Sequence, residues 1–219
     1  MRLRWLLPVA FSTFSLAQSF TVQNSNTTSD LRGLSAVSPH IAWASGTHGT
    51  YLRSIDGGET WTVGTVPGAE TLDFRDVEAF SADEAYLLAA GPSEQSRIYK
   101  TTDGGRNWTL QFTNHDPKGF YDCIAFWDPM HGIAVGDPVH GQFALVATND
   151  GGASWNPVPS VSRPRSLATE GAFAGSGTCL SIQGESVWLV TGGNAARVFR
   201  SSNRGNTWAA ADAPILHDS

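Results

Sequence analysis

Ser54-Ile-Asp-Gly-Gly-Glu-Thr-Trp61 returns as Thr101-Thr-Asp-Gly-Gly-Arg-Asn-Trp108, as Thr148-Asn-Asp-Gly-Gly-Ala-Ser-Trp155 and, altered, as Ser201-Ser-Asn-Arg-Gly-Asn-Thr-Trp208. The closing tryptophans recur at nearly constant spacing. A fixed period of this size marks a repeat architecture, in which each unit buries its apolar face only against a neighbour.

Aligned on the tryptophans, every repeat shows the same short apolar runs separated by turn residues. First strands read as Arg32–Val37, Arg75–Phe80, Tyr121–Phe126 and, less clearly, Glu170–Phe173. Second strands read as Ile41–Ala44, Ala85–Leu88, Gly132–Val135 and Val187–Val190, and third strands as Thr50–Arg53, Arg97–Lys100, Phe143–Val146 and Arg197–Arg200. A fourth begins at each motif tryptophan. β-Branched and aromatic residues bounded by Gly, Pro, Asn and Asp favour strands, and no window sustains a helical period. Four antiparallel strands per unit describe an all-β propeller.

The repeated octapeptide falls in the hairpin between third and fourth strands. Asp56, Asp103 and Asp150 are placed to accept backbone N–H groups of the turn, Gly58, Gly105 and Gly152 supply positive φ, and Trp61, Trp108 and Trp155 pack into the blade. In the fourth copy Asn203 and Arg204 replace aspartate and the first glycine, while Gly205 and Trp208 are kept, so a less rigid turn is expected there. On these residues the chain resembles the Asp-box, or bacterial neuraminidase repeat, propellers. Leu31–Leu34, Trp43–Gly46, Leu72–Asp76, Gly136–Val139 and Thr191–Asn194 further resemble the branch related to photosystem II stability and assembly factors. That resemblance implies a non-catalytic binding or assembly propeller, resembling the photosystem II assembly factors, with no cofactor.

Arg2 and Arg4, an apolar run from Trp5 to Leu16, and Ser15-Leu16-Ala17 form the pattern of a secretory signal over residues 1–17. The mature chain, 18–219, is expected to be exported, periplasmic or secreted, without membrane insertion. Its blades are expected over about 31–66, 72–113, 119–160 and 168–211, as the first part of a longer propeller. The formal charge of −6 becomes more negative once Arg2 and Arg4 are removed, which disfavours nucleic acid as a partner. Cys123 and Cys179 sit in apolar surroundings; two buried thiols are the favoured reading and a disulfide of the export compartment the alternative.

In a propeller the loops between second and third strands share one face with the segments leading into each first strand. That face collects His48 and His140 as binding candidates, with Arg32 and Arg75 at matching first-strand positions. A sialidase would use the arginines to clamp a carboxylate and Tyr121 as nucleophile, with Glu170 as its base and Arg197 the nearest third clamp. A two-carboxylate glycosidase would draw on Asp73, Asp76, Asp122, Asp137 or Glu170. Matching positions in a repeat are more often structural. The leading expectation is therefore a propeller that binds a protein or glycan on its loop face and performs no chemistry, and the rival is a glycoside hydrolase. No metal-ligand spacing, nucleotide fingerprint or haem-attachment motif supports another class.

Overall fold

The computed structural model describes residues 20–214, so the signal segment expected over residues 1–17 lies outside the described residues. The first blade holds β1 (Leu31–Ala36), β2 (Ala42–Gly46), β3 (Thr50–Ser54) and β4 (Thr62–Thr65). The second holds β5 (Phe74–Ala79), β6 (Ala85–Ala89), β7 (Arg97–Thr101) and β8 (Thr109–Thr113). The third holds β9 (Tyr121–Asp128), β10 (His131–Val139), β11 (Gln142–Thr148) and a short β12 (Asn156–Pro157). In each, hydrogen bonds join the strands in sequence order as an antiparallel meander. The protein is an all-β propeller of four-stranded antiparallel blades.

The fourth blade departs from expectation. Glu170–Phe173 does not form its first strand: β13 (Glu170–Gly171) pairs instead with β16 (Gly192–Gly193). The sheet itself runs β14 (Leu180–Gln183), β15 (Ser186–Val190), β17 (Arg197–Ser201), β18 (Ala209–Asp212). Residues 172–179, rich in glycine, bulge out between the two halves of what is one strand in the other blades. Phe173 is consequently exposed.

Three apolar layers hold the blades together. Trp43, Tyr51, Val77, Leu87 and Trp108 fill the first interface, Tyr86, Leu88, Ile98, Ile124 and Trp155 the second, and Ile133, Val135, Phe143, Leu189 and Trp208 the third. Trp108, Trp155 and Trp208 thus pack against the preceding blade. Trp127, which breaks the repeat phase, is partly buried against the third layer.

Cys123 and Cys179 are joined by a disulfide, against the expectation of two thiols, with Cα atoms 6.1 Å apart. The bulge brings Cys179 beside β9, a proximity that depends on the interrupted strand and not on the repeat spacing.

The motif turns close in the same way four times. In the first, Asp56 Oδ1 accepts the Thr60 N–H at 3.0 Å, and Ser54 Oγ accepts the Gly58 N–H at 2.9 Å. Asp103 with Asn107 and Asp150 with Ser154 repeat this geometry. Asn203 Oδ1 accepts the Thr207 N–H at 2.9 Å, and Arg204 adopts a φ of 54° where the other copies place glycine. The fourth turn is as closed as the rest: amide oxygen replaces carboxylate oxygen as acceptor, and an arginine tolerates the left-handed angle.

Candidate functional site

The loops joining second to third strands lie at the end of each blade where the chain enters the next. Gly49 N–H donates to Leu72 O and Ser93 N–H to Gly119 O, so these two loops brace the segments leading into the following first strands, whereas Asp137 N–H donates to Phe120 O within its own blade. The sequence-derived candidates gather on this face and on the inner strands beside it.

Arg32 and Arg75 both address Asp73. Arg75 Nε donates to Asp73 Oδ2 at 2.8 Å, Arg32 Nε lies 4.0 Å from Asp73 Oδ1, and Arg75 Nη1 donates to Ala174 O in the 172–179 bulge at 3.3 Å. The two guanidiniums bracket a carboxylate of the protein and do not stand open as a substrate clamp.

Asp76 is buried and accepts the N–H groups of Val77 and of Ile124, each at 2.8 Å. The second bond ties the inner strand of the second blade to that of the third. Burial outweighs these bonds and raises the Asp76 carboxyl to about 7. Glu78, two residues further along β5 and therefore on the same face, is raised to about 8 by burial and by the charge of Asp76. With Leu34, Ser176 and Thr178 these acids line a cavity of about 380 Å³. Glu78 escaped the sequence reading, although its i, i+2 spacing from Asp76 carries the signal.

Asp122 lies at the first-strand bulge of the third blade, the position that Arg75 holds in the second, while Cys123 is the register match of Asp76. Burial raises the Asp122 carboxyl to about 8, neighbouring Asp137 pushes the same way and Arg75 opposes. Asp122 is 2 % exposed and its Oδ2 meets no hydrogen-bond donor among the described residues. Asp137 is raised by burial and accepts the Ala172 N–H at 3.1 Å.

Glu170 is fully engaged. Arg197 grips both its carboxylate oxygens, Thr191 donates its hydroxyl and Leu167 its N–H. Burial alone would raise this carboxyl, but the bonds from Arg197 and Thr191 hold it below the usual range. Glu170 and Arg197 therefore form a pair inside the fourth blade, with neither left to serve as base or clamp.

Tyr121 is buried against Phe112, ring centroids 5.4 Å apart, and burial pushes its phenol up to about 12. A nucleophilic tyrosine requires the opposite shift or an adjacent base. His48 and His140 sit exposed at loop tips with φ of 59° and 55°. His140 and Tyr121 share a groove of about 400 Å³ between the second and third blades, walled by Phe112, Asn114, Val139 and Arg163. Arg163 was not among the expected residues; it lies in the irregular segment after β12, which carries no repeat phase. Among the described residues no cluster of three or more His, Cys, Asp or Glu side chains is arranged to hold a metal ion.

No family model matches the sequence, and no curated protein is similar to it. Solved structures are similar in fold. YCF48 from Cyanidioschyzon merolae superposes with a TM-score of 0.58 at 20% identity, over 86% of this chain and 58% of that one. A structure of YCF48 bound to D1 peptide gives 0.51 at 16% identity, over 85% and 70%. The Niastella koreensis GH74 enzyme gives 0.51 at 17% identity, over 82% of this chain and 24% of its own. The chain thus spans from about a quarter to 70% of these proteins, which include a peptide binder and a glycoside hydrolase. What the likenesses establish is the propeller fold.

Proposed function

We propose that this chain is an exported, non-catalytic propeller of the assembly-factor kind, which binds a protein segment on its loop face. The observation that carries the reading is the state of the candidate catalytic groups. Asp73 is bracketed by two arginines, Asp76 and Asp137 accept backbone N–H groups of neighbouring blades, Glu170 is gripped by Arg197, and the Tyr121 phenol is driven away from ionisation. Carboxylates that hold blades together are structural devices. The groove beside Tyr121 offers an apolar floor and a polar rim, which suits an extended peptide. A YCF48 structure of the same fold holds a D1 peptide, which supports a protein partner over a glycan. Export is supported by the N-terminal sequence pattern and by the disulfide, a bond that persists in oxidising compartments.

One arrangement favours the hydrolase reading. Asp122 stays protonated near neutral pH beside Asp137, and a glycosidase needs one protonated and one ionised carboxyl. Its burial leaves no path for a glycosidic oxygen to reach it, so binding is preferred.

The test is a panel of glycosides and a peptide array presented to the purified protein. Saturable peptide binding weakened by H140A, with no hydrolysis, is expected. Hydrolysis abolished by D122N or D137N would reverse the assignment.

A further inference from the structure

The groove between the second and third blades opens because the third blade cuts its outer strand short. β8 (Thr109–Thr113) runs along β7, whereas β12 pairs with β11 only at Asn156 and Pro157. Pro157, Pro159 and Pro164 lack the N–H that a longer ladder requires, so the chain leaves the sheet and returns only where Phe143 N–H donates to Pro164 O. The departing segment is fastened all the same. It makes one short turn at Ser160–Ser162, Gln142 Nε2 donates to Ser160 O at 2.9 Å, and Arg163 Nε donates to Val158 O at 2.6 Å. Beside it, β10 and β11 continue past a bulge at Asp137 to the turn His140-Gly141, which brings Val139 and His140 to the groove.

These departures from the repeat deliver three donors to one place. Arg163 uses only Nε, so both its Nη groups are without partners among the described residues, and it meets no carboxylate there. The Tyr121 hydroxyl and the His140 ring make no hydrogen bond among the described residues either. Phe112 holds the Tyr121 ring edge-on, centroids 5.4 Å apart, and burial keeps its phenol protonated and able to donate. Asp116, the acid of the groove, lies on the wall that continues from β8, where its Oδ1 accepts the Lys118 N–H; His115 beside it is paired with Glu94. A guanidinium pinned through Nε presents its two Nη groups as a fork, the geometry that matches a carboxylate. Around these donors, Phe112, Val139, Val146 and Pro157 supply apolar wall.

Resting on the reading of this groove as a peptide site, we infer that it selects an extended segment with one aspartate or glutamate, whose side-chain carboxylate Arg163 and Tyr121 grip. Alternate side chains of an extended chain share a face, so the residues two positions away set apolar groups against Phe112, Val139 and Val146. On a chain of net charge −6 an acidic segment finds little attraction elsewhere, and the unpaired guanidinium fixes where it docks.

The test is a library of octapeptides, acetylated and amidated so that only side chains carry charge, selected on the purified protein. Selected peptides are expected to share an acidic residue with Val, Ile, Leu or Phe two positions before or after it. For one such peptide, exchanging the acid for its amide and R163Q in the protein should each weaken binding about tenfold or more, and together no more than either alone, because both remove one contact. R163K, which keeps the charge and loses the fork, should fall between, and Y121F should lose a smaller factor. Circular dichroism checks folding; if R163Q misfolds, R163K and the peptide substitution carry the comparison. Peptides weakened by H140A but indifferent to R163Q and to loss of their acid would overturn this inference and leave the peptide groove standing. Additive losses would also overturn it, since they mean attraction at a distance and no grip. Selection of no peptide, or binding of oligogalacturonate in its place, would overturn both readings.

Discussion

The second and third blades meet differently from the third and fourth. At the first junction two unbroken inner strands lie side by side, and Asp76 reaches across to the Ile124 N–H. At the second the inner strand is split by the 172–179 bulge, and the blades are held instead by the Cys123–Cys179 disulfide and the Asp137 bond to Ala172. The fourth blade is further fastened within itself by Glu170 and Arg197. Where strand continuity is lost, covalent and ionic links stand in for it.

Breaking the disulfide is expected to have the largest effect. It closes a loop of 56 residues, for which the chain-entropy relation gives about 4 kcal/mol. C123S/C179S, or the wild type under reductant, should therefore unfold at a much lower denaturant concentration, with the fourth blade released first in hydrogen exchange. An unchanged midpoint would mean that the bulge is held by packing alone. Next comes E170A, which leaves Arg197 facing a hole in a mostly buried site, at a cost of about 3 kcal/mol. E170Q should recover part of this, since Thr191 and Leu167 keep an acceptor.

The two junctions should also part company with pH. Asp76 and Glu78 on β5, and Asp122 on β9, are raised to about 7, 8 and 8, mainly by burial. In the unfolded chain they ionise near 4. Between those limits the folded state binds more protons than the unfolded, so stability falls as pH rises from about 4 towards 8. Asp56 and Asp150 of the motif turns act at the other end. Hydrogen bonds from Thr60 and Ser154 hold them down to about 2, so their contribution is present above about 4 and lost as pH falls through 2. Unfolding midpoints between pH 3 and 9 should peak in the mildly acidic range. D122N should flatten the alkaline side and leave the acid side alone; an unaltered alkaline slope would refute the burial of that proton.

The repeat made most of this legible. Fixed tryptophan spacing located the blades and the strands of the first three, because a period-2 pattern bounded by turn residues has one physical solution in each. It failed at Glu170–Phe173, where a second apolar run, Leu180–Gln183, competes for the same place and only tertiary packing decides between them. The cysteine bond was hidden for the same reason, since Cys179 reaches β9 only through the bulge. At the candidate site the sequence put Arg32 and Arg75 at matching positions, as the register has them, but it was one residue off in the third blade, where Tyr121 takes the position of Phe74 and Asp122 that of Arg75. It left out burial, which turns three carboxylates and a tyrosine from reactive groups into quiet ones, and it left out Arg163, which lies outside the repeat.

The smallest expected effect concerns the altered fourth turn. Asn203 Nδ2 donates to Thr207 Oγ1 at 3.0 Å, whereas in the first turn the Thr60 hydroxyl donates to Asp56. N203D reverses that donor and gives the Thr207 N–H a charged acceptor, for a gain of less than about 1 kcal/mol at neutral pH. Because an aspartate held by such bonds stabilises only while ionised, the gain should vanish as pH falls below about 3. A difference in thermal midpoint between N203D and the wild type that is present at pH 7 and absent at pH 2.5 would show that the fourth turn differs from the others only in its acceptor. A loss at pH 7 would mean that the Arg204 backbone, at positive φ, depends on the neutral amide beside it.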